Sequence, residues 1–151
     1  MRPAAPPGTA AASGPAPRRR ILLIDDNDDA RELLGMALEL KGHAIATADG
    51  GVHGLERARQ FQPEFVFLDL GMPGMDGYDT AIALRAIPGL EQVPFVALSG
   101  WNDRMTLARV RDAGFDHHMT KPADFDHIDG LLRGDVAPFA KPSLRQAACH
   151  L

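Results

Sequence analysis

Short apolar runs alternate with amphipathic segments along residues 20–133, and this alternation predicts strands and helices in turn. Strands are predicted at residues 21–24, 43–47, 64–69, 93–99 and 117–120. Helices are predicted at residues 30–38, 51–60, 78–87, 103–113 and 124–133. Gly42, Gly89 and Gly114 stand where helices are expected to stop. Gly130 is expected to weaken the last helix.

Strands that alternate with helices call for a parallel sheet covered by helices on both faces. Because right-handed crossovers leave few topologies, we expect a flavodoxin-like, doubly wound α/β fold with the five strands in the order 2-1-3-4-5 and five helices. The domain is expected to span residues 20–133. Residues 1–19, rich in Pro and Ala, are expected to be a disordered leader, and residues 134–151 a C-terminal tail.

Composition narrows the function classes. The net charge of −4 argues against nonspecific nucleic-acid binding, which needs basic patches. The single cysteine, Cys149, rules out a disulfide framework and suits a reducing compartment, so we expect a cytoplasmic protein. The longest apolar stretches are only of strand length, and no apolar signal segment follows the N-terminal arginines, so no membrane insertion is expected.

Polar side chains follow the predicted strands at the points where they end. Asp25 and Asp26 follow the first strand, Asp69 ends the third, Ser99 ends the fourth, and Lys121 follows the fifth. In an open α/β sheet, ligands bind beyond the carboxyl ends of the strands, at the switch in strand order. We therefore expect these side chains to meet at one edge of the sheet.

The chemistry of this set points to a cation and a phosphoryl group. Asp69 follows a wholly apolar run, and an ionised carboxylate is costly to bury without partners. Close carboxylates repel one another and recruit a cation, and oxygen ligands without His or Cys suit Mg²⁺. Lys121 would attract an anion, Ser99 would donate a hydrogen bond to it, and Gly71 and Gly100 would leave room near the backbone. Asp69 is then the candidate nucleophile for phosphoryl transfer.

Four segments, ILLIDDND, FVFLDLGMPGMDGYD, VPFVALSG and GFDHHMTKP, resemble the receiver domain of two-component response regulators in order and spacing. The resemblance covers about residues 20–133. It implies that Asp69 accepts a phosphoryl group from the phosphohistidine of a histidine kinase or a histidine phosphotransfer protein, and that the same carboxylate contributes to Mg²⁺ binding. Such a protein is a phosphoacceptor that catalyses only its own phosphorylation and dephosphorylation, and not an enzyme with a separate substrate.

The resemblance also implies roles for the other residues. Asp26 would bind Mg²⁺ directly and Asp25 through water, with the carbonyl of Gly71 as a further ligand. Lys121 would pair with the phosphoryl group, and Ser99 would swing inward to hold a phosphoryl oxygen.

Three further positions, Gly100, Trp101 and His118, lie close in sequence to the predicted site residues Ser99 and Lys121. His118 stands three residues before Lys121, at a position where the family often has an aromatic residue that rotates inward. Its imidazole could act as such a switch or lie on the surface of an edge strand, and both interpretations stay open. Gly100 and Trp101 are expected to border the site, and the Trp101 ring to slow hydrolysis of the phosphoryl bond. The other histidines show no paired metal-ligand spacing and are interpreted as ordinary.

No DNA-binding or catalytic output domain follows the predicted receiver, so we expect a stand-alone regulator whose output is contact with a downstream protein. The surface of the fourth helix, fifth strand and fifth helix would carry that signal. The alternative is a degenerate receiver that acts as a phosphorylation-independent docking module. A phosphohydrolase with an aspartyl-phosphate intermediate would need a second acid where this chain has Gly71, and no glycine fingerprint for a nucleotide follows the first strand.

Overall fold

The computed structural model describes residues 18–71, 76–100 and 104–139. Five parallel strands form one sheet in the order β2-β1-β3-β4-β5, which confirms the predicted fold class and strand order. The strands are β1 Arg20–Ile24, β2 Ala44–Ala48, β3 Phe65–Asp69, β4 Phe95–Ser99 and β5 His117–Thr120. The helices are α1 Asp28–Leu40, α2 Gly51–Phe61, α3 Gly77–Arg85, α4 Arg104–Asp112 and α5 Phe125–Arg133.

The core lies on both faces of the sheet because successive strand residues point to opposite sides. One cluster combines Leu22, Leu68 and Phe95 of the strands with buried residues of α2, α3 and α4. The other combines alternate strand residues, such as Leu23 and Phe67, with buried residues of α1 and α5. All residues of β3 and β4 are buried, which explains their continuous apolar runs.

Capping side chains set the helix starts. The side chain of Asn27 accepts a hydrogen bond from the Ala30 amide at 2.9 Å, so α1 begins two residues before the predicted start. Asp124 caps α5 and is therefore the residue before that helix, not part of it. The end of α3 differs from the prediction as well. The Ile87 amide donates to the Leu84 carbonyl, which closes a tighter turn after Arg85.

Arg85 and Asp116 connect the amino-terminal ends of β4 and β5. The Arg85 guanidinium donates to the carbonyls of Leu90, Val93 and Gly114, and its Nη2 donates to Asp116 Oδ2 at 2.8 Å. The same Asp116 oxygen accepts from the Phe95 amide at 2.8 Å. The guanidinium also stacks over the Phe95 ring, 3.7 Å from its centroid. The charge-assisted hydrogen bonds of Arg85 and Asp116 fix both strands at this end of the sheet.

The described residues after α5 continue along the domain. Gly134 ends α5 with a φ of 85°, and the chain then runs past β5. Val136 and Phe139 pack against the two core clusters, and the Phe139 amide donates to the Asp116 carbonyl at 2.8 Å. The predicted domain boundaries, with a leader at residues 1–19 and a tail at 134–151, stay predictions, because much of both ends lies outside the described residues.

Among the helices of the described residues, none has the length and apolar character needed to span a membrane.

Candidate functional site

Three carboxylates meet at the carboxyl ends of β1 and β3. Asp25 and Asp26 follow β1 and Asp69 ends β3, and the two strands are neighbours with Ile24 opposite Leu68. One carboxylate oxygen of each aspartate lies within 4.8 Å of the others. Asp25 is 2% exposed and Asp69 6% exposed, whereas Asp26 is open to solvent. The structure thus brings together the acids that the sequence placed at separate strand ends.

Lys121 lies against two of these acids. Its Nζ donates to Asp25 Oδ2 at 3.0 Å and lies 3.3 Å from Asp69 Oδ1. The position follows from the sheet, since the Lys121 amide donates to the Ser99 carbonyl at 2.8 Å where β4 and β5 end together. Burial acts to lower the pKa of Lys121, but the hydrogen bond and charge of Asp25 and the charge of Asp69 outweigh it, so the pKa is raised above its usual value. The ammonium is therefore charged at neutral pH.

The two buried carboxylates differ in their hydrogen bonds. Asp25 uses both oxygens, since Oδ1 accepts from the Asn27 amide at 3.0 Å and Oδ2 from Lys121. The contacts of Asp69 within the described residues both use Oδ1, which also accepts from the Gly71 amide at 3.2 Å. Oδ2 of Asp69 is therefore the oxygen that these contacts leave for a new bond. Arg31 holds the backbone before the cluster, because its Nη1 donates to the Asp25 carbonyl at 2.7 Å.

A close backbone approach brings α3 directly against the end of β3. A Cβ added at Gly77 would lie 2.5 Å from the Asp69 carbonyl oxygen and 2.7 Å from Leu70 Cα. Only glycine fits there, although the sequence analysis did not single out this residue. Among the described residues, a Cβ added at Gly71 would meet only Asp69 Oδ1, at 3.9 Å, and one added at Gly100 would meet nothing within 4 Å.

The remaining predicted residues are Ser99, His118 and Trp101, and the structure describes the first two. Ser99 is 4% exposed, ends β4 and stands one residue beyond Leu98, the partner of Asp69 in the sheet. His118 is half-buried and lines a cavity with Leu107 on the side of α4. Trp101 lies outside the described residues. The switch roles of Ser99 and His118 and the ligand role of the Gly71 carbonyl stay predictions.

The donor set fits Mg²⁺. Three ionised carboxylates and one ammonium leave two negative charges on the cluster, which a divalent cation balances. The donors are oxygens, with no sulfur or imidazole among them, as hard cations prefer. The exposed Asp26 also gives an ion access from solvent.

An apolar groove adjoins the acids and was not singled out from the sequence. It has a volume of about 390 Å³, and Asp25 and Lys121 are among the residues that line it. Leu33 of α1 and Phe125 of α5 line it and are 66% and 37% exposed. The sequence signal for this groove is the wide apolar stripe of α1, which includes both Leu33 and Leu34. In the structure Leu34 is buried and Leu33 is exposed.

Comparison with known families agrees with this geometry. The family model described as the response regulator receiver domain matches residues 21–133. The chain belongs to this family. It is therefore a receiver domain of the kind found in two-component systems, as the four sequence segments predicted.

The receiver domain is also similar to curated proteins. The transcriptional regulatory protein AfsQ1 of Streptomyces coelicolor is 33% identical over 113 residues, which are 75% of this chain and 49% of that protein. The DNA-binding response regulator MtrA of Mycobacterium tuberculosis is 35% identical over 105 residues, 70% of this chain and 45% of that protein. The chain spans about half the length of the curated relatives it matches.

Solved structures share the fold. The chemotaxis protein CheY4 of Vibrio cholerae superposes with a TM-score of 0.74 at 20% identity, over 80% of this chain and 100% of that one. The receiver domain of the histidine kinase CKI1 of Arabidopsis thaliana, solved with Mg²⁺, gives a TM-score of 0.66 at 24% identity, over 78% of this chain and 92% of that one.

Proposed function

We propose that this receiver domain is a phosphoacceptor in which Asp69 takes a phosphoryl group from the phosphohistidine of a histidine kinase or a histidine phosphotransfer protein. The observation that carries the proposal is the position of Asp69, with two further carboxylates within 4.8 Å and the Lys121 ammonium 3.3 Å away. Phosphoryl transfer depends mainly on positioning and on balancing charge, and this cluster supplies both.

The reaction forms one bond and breaks another. A carboxylate oxygen of Asp69 attacks phosphorus and forms an O–P bond. The P–N bond to the donor imidazole breaks, its electron pair stays on the nitrogen, and the nitrogen takes up a proton from solvent. Lys121, already positioned against Asp69 Oδ1, attracts the phosphoryl oxygens, and Ser99 donates a hydrogen bond to one of them.

Asp25, Asp26 and Asp69 are the residues that would hold Mg²⁺, with the carbonyl of Gly71 as a further ligand. When bound, Mg²⁺ neutralises negative charge on the transferred phosphoryl group. Asp26 is the ligand exposed to solvent, and Asp25 is fixed by the Asn27 amide and Lys121. Asp25 thus presents a positioned carboxylate to Mg²⁺, and Lys121 presents a positioned positive charge to the phosphoryl group.

The apolar groove beside the acids is the proposed docking site for a helix of the phosphohistidine protein. A donor imidazole has to reach Asp69, so the donor covers the surface that continues from Asp25 and Lys121. That surface offers the exposed side chains of Leu33 and Phe125. An amphipathic helix with an apolar face fits such a groove.

Phosphorylation is proposed to signal through the surface of α4, β5 and α5. The phosphoryl group carries about two negative charges and takes the place of the single charge of the Asp69 carboxylate, and a near-complete switch needs about 5.5 kcal/mol of differential stabilisation. Charge-assisted contacts with Lys121, Ser99 and Mg²⁺ are its proposed source. We propose a cytoplasmic protein whose output is contact with a downstream protein, without nucleic-acid binding or membrane insertion. The DNA binding named for MtrA belongs to that protein.

Mass spectrometry after incubation with acetyl phosphate and Mg²⁺ tests the proposal. We expect the full chain to gain the mass of one phosphoryl group. Asp69→Asn should abolish the gain, and Asp79→Asn, at an exposed acid in the first turn of α3, should retain it. If neither acetyl phosphate nor beryllofluoride with Mg²⁺ changes the mass or the spectrum of the chain, the protein is a phosphorylation-independent docking module instead.

A further inference from the structure

β2 is an end strand of the sheet. The strand order places it beside β1, and the part of the chain that the structure describes contains no strand on its other side. The Ala44 amide and the Ala48 carbonyl form hydrogen bonds with the backbone of the β1 segment. Because successive residues of a strand direct their N–H and C=O groups to opposite sides, the backbone groups of Ile45 and Thr47 lie on the outer edge.

The sequence of β2 does not protect this edge from another strand. Edge strands of monomeric proteins usually carry a charged residue, a proline or a bulge, or are covered by another segment. β2 reads AIATA, which contains no charged residue and no proline, and it pairs with β1 in an unbroken register. Its first four residues are only half-buried. The strand is therefore able to accept a further strand along its outer edge.

The helices on the two faces of the sheet leave open grooves beside β2. A groove of about 250 Å³ lies between α1 and β2 and is lined by Met36, Ile45 and Thr47, among others. A polar groove of about 390 Å³, separate from the apolar groove beside the acids, lies between α2 and β2. Met36 is 62% exposed although its side chain is apolar. Exposed apolar side chains beside an open strand edge mark a surface that another chain can cover.

We propose that β2 pairs in antiparallel orientation with β2 of a second copy of the chain, around a two-fold axis at Ala46, so that the two sheets join into one. In this register Ile45 lies opposite Thr47 of the second copy, and each such pair exchanges both of its backbone hydrogen bonds. Ala46 lies opposite Ala46 at the position between them, where facing Cα atoms are closest, about 4.5 Å apart. The small alanine side chain suits this close approach.

The charges of α1 are complementary in the same arrangement. A Cβ added at Gly35 would lie 3.8 Å from Thr47 Cγ2 and 3.9 Å from Ile45 Cγ2, so this point of α1 is level with the proposed axis. Arg31 stands about one helical turn before Gly35 and Glu39 about one turn after it, and both line the groove beside β2. Two-fold symmetry therefore brings Arg31 of each copy toward Glu39 of the other, which favours this orientation.

The proposed contact is small. A strand of five residues and the neighbouring sides of two helices bury less surface than a stable protein–protein interface, so we expect a weak and reversible dimer. The proposal goes beyond the proposed function, because pairing of β2 requires no phosphorylation of Asp69.

Cysteine crosslinking tests the register on the full chain, in a Cys149→Ser background. Ala46→Cys would place two thiols on facing residues whose Cα atoms are about 4.5 Å apart, within the range of a disulfide. We expect oxidised glutathione to convert this variant to a covalent dimer. Thr47→Cys, also at a half-buried position of β2, is the control and should crosslink far less, because diagonal neighbours lie about 7–8 Å apart.

Sedimentation equilibrium measures the dimer without a crosslink. We expect Met36→Glu to raise the dissociation constant of the dimer at least about 10-fold, because it places two carboxylates near the axis. Met105→Glu makes the same change at an 83% exposed methionine of α4 and should leave the dissociation constant unchanged.

Three results would each overturn the proposal. The first is a chain that stays monomeric at concentrations up to about 1 mM, which would leave the β2 edge to an extended segment of another protein. The second is equal crosslinking of Ala46→Cys and Thr47→Cys. The third is a dimer that Met36→Glu does not weaken. None of these measurements involves Asp69, so phosphorylation keeps its own test.

Discussion

Lys121 is the residue on which the charge balance of the site depends. It contacts two buried carboxylates, and its raised pKa shows that their charges outweigh the effect of its burial. A neutral residue there would leave Asp25 and Asp69 close together without a cation and would take away a partner for the phosphoryl oxygens.

Replacement of Lys121 therefore slows phosphorylation. We expect Lys121→Ala to lower the initial rate with acetyl phosphate and Mg²⁺ on the order of 100-fold, because one preorganised positive charge is lost. Lys121→Arg should recover part of the rate, since it keeps the charge in a bulkier group. Lys41→Ala, which removes the ion pair with Asp129 far from the acids, is the control and should leave the rate unchanged. An undiminished rate in Lys121→Ala would contradict the proposed role.

His43 is a buried histidine that the sequence analysis interpreted as ordinary. It is 4% exposed, and its Nδ1 accepts a hydrogen bond from the Arg19 amide at 3.0 Å. Its Nε2 is buried without a hydrogen-bond partner in the described part of the chain. Burial lowers the pKa of His43, and the positive charges of Arg19 and Lys41 lower it further, while Asp129 acts in the opposite direction.

The lowered pKa predicts a loss of stability in acid. Below about pH 6.5 the unfolded chain binds a proton at His43 that the folded chain resists, so the free energy of unfolding falls as the pH falls toward the lower pKa of the folded state. Urea unfolding at a series of pH values between about 8 and 5 should show a smaller fall for His43→Gln, which can still accept from Arg19. Parallel curves for the two proteins would show that His43 does not titrate in this way.

The sequence predicted the positions of those site residues that stand at the ends of strands. The acids and Lys121 follow directly from the strand pattern and the topology rule. The environment of His43 was not predictable, because it depends on where the Arg19 backbone passes. The tight packing at Gly77 was not predictable either, because it depends on how closely α3 lies against the end of β3.

At the level of elements, α3 can begin against β3 only because residue 77 has no Cβ. Gly77→Ala should lower the free energy of unfolding by about 1–3 kcal/mol, because its Cβ would meet backbone atoms that cannot move aside. Gly35→Ala in α1 is the matched comparison. Its Cβ would lie 3.8 Å from Thr47 Cγ2, an ordinary contact, and the higher helix propensity of alanine should stabilise the protein by up to about 1 kcal/mol. Denaturant unfolding of both variants checks the opposite signs.

The strands were predicted more accurately than the segments around them. The strand ends of β3, β4 and β5 fall at the predicted residues, because each apolar run stops where the chain leaves the sheet. The segment at residues 136–139 lies within the predicted tail, and its sequence VAPF carries neither a helical nor a strand period. Its packing depends on a contact with Asp116, 23 residues earlier in the chain, and such contacts are invisible to local periodicity.

For the whole molecule, metal binding and stability are linked. If Mg²⁺ binds the native acid cluster alone, a concentration about ten times its dissociation constant should stabilise the fold by about 1.4 kcal/mol. Thermal melting with and without millimolar Mg²⁺ measures this. Asp26→Asn should reduce the shift, whereas Asp29→Asn, at an exposed acid in the first turn of α1, should preserve it. A melting temperature indifferent to Mg²⁺ would argue against the proposed metal site.

The apolar groove beside the acids predicts a difference between protein and small-molecule donors. Leu33→Asp should slow phosphotransfer from a histidine kinase that phosphorylates Asp69, because it places a charge on the proposed docking surface. The rate with acetyl phosphate should stay the same. Val52→Asp, at a 65% exposed apolar position of α2, should affect neither rate. An equal loss with both donors would mean that Leu33 supports the site and not the docking of a partner.

The Arg85–Asp116 pair fixes the starts of β4 and β5 relative to each other. Its bonds tie the start of β4 to the start of β5 and to the turn at residues 90–93, so these strands cannot slide past each other there. The opposite rim carries the acids and Lys121, whose Nζ contacts Asp25 and Asp69. The bonds of Arg85 and Asp116 therefore set the spacing of β4 and β5 at their starts, and both strands run from there to the rim where Ser99 and Lys121 lie.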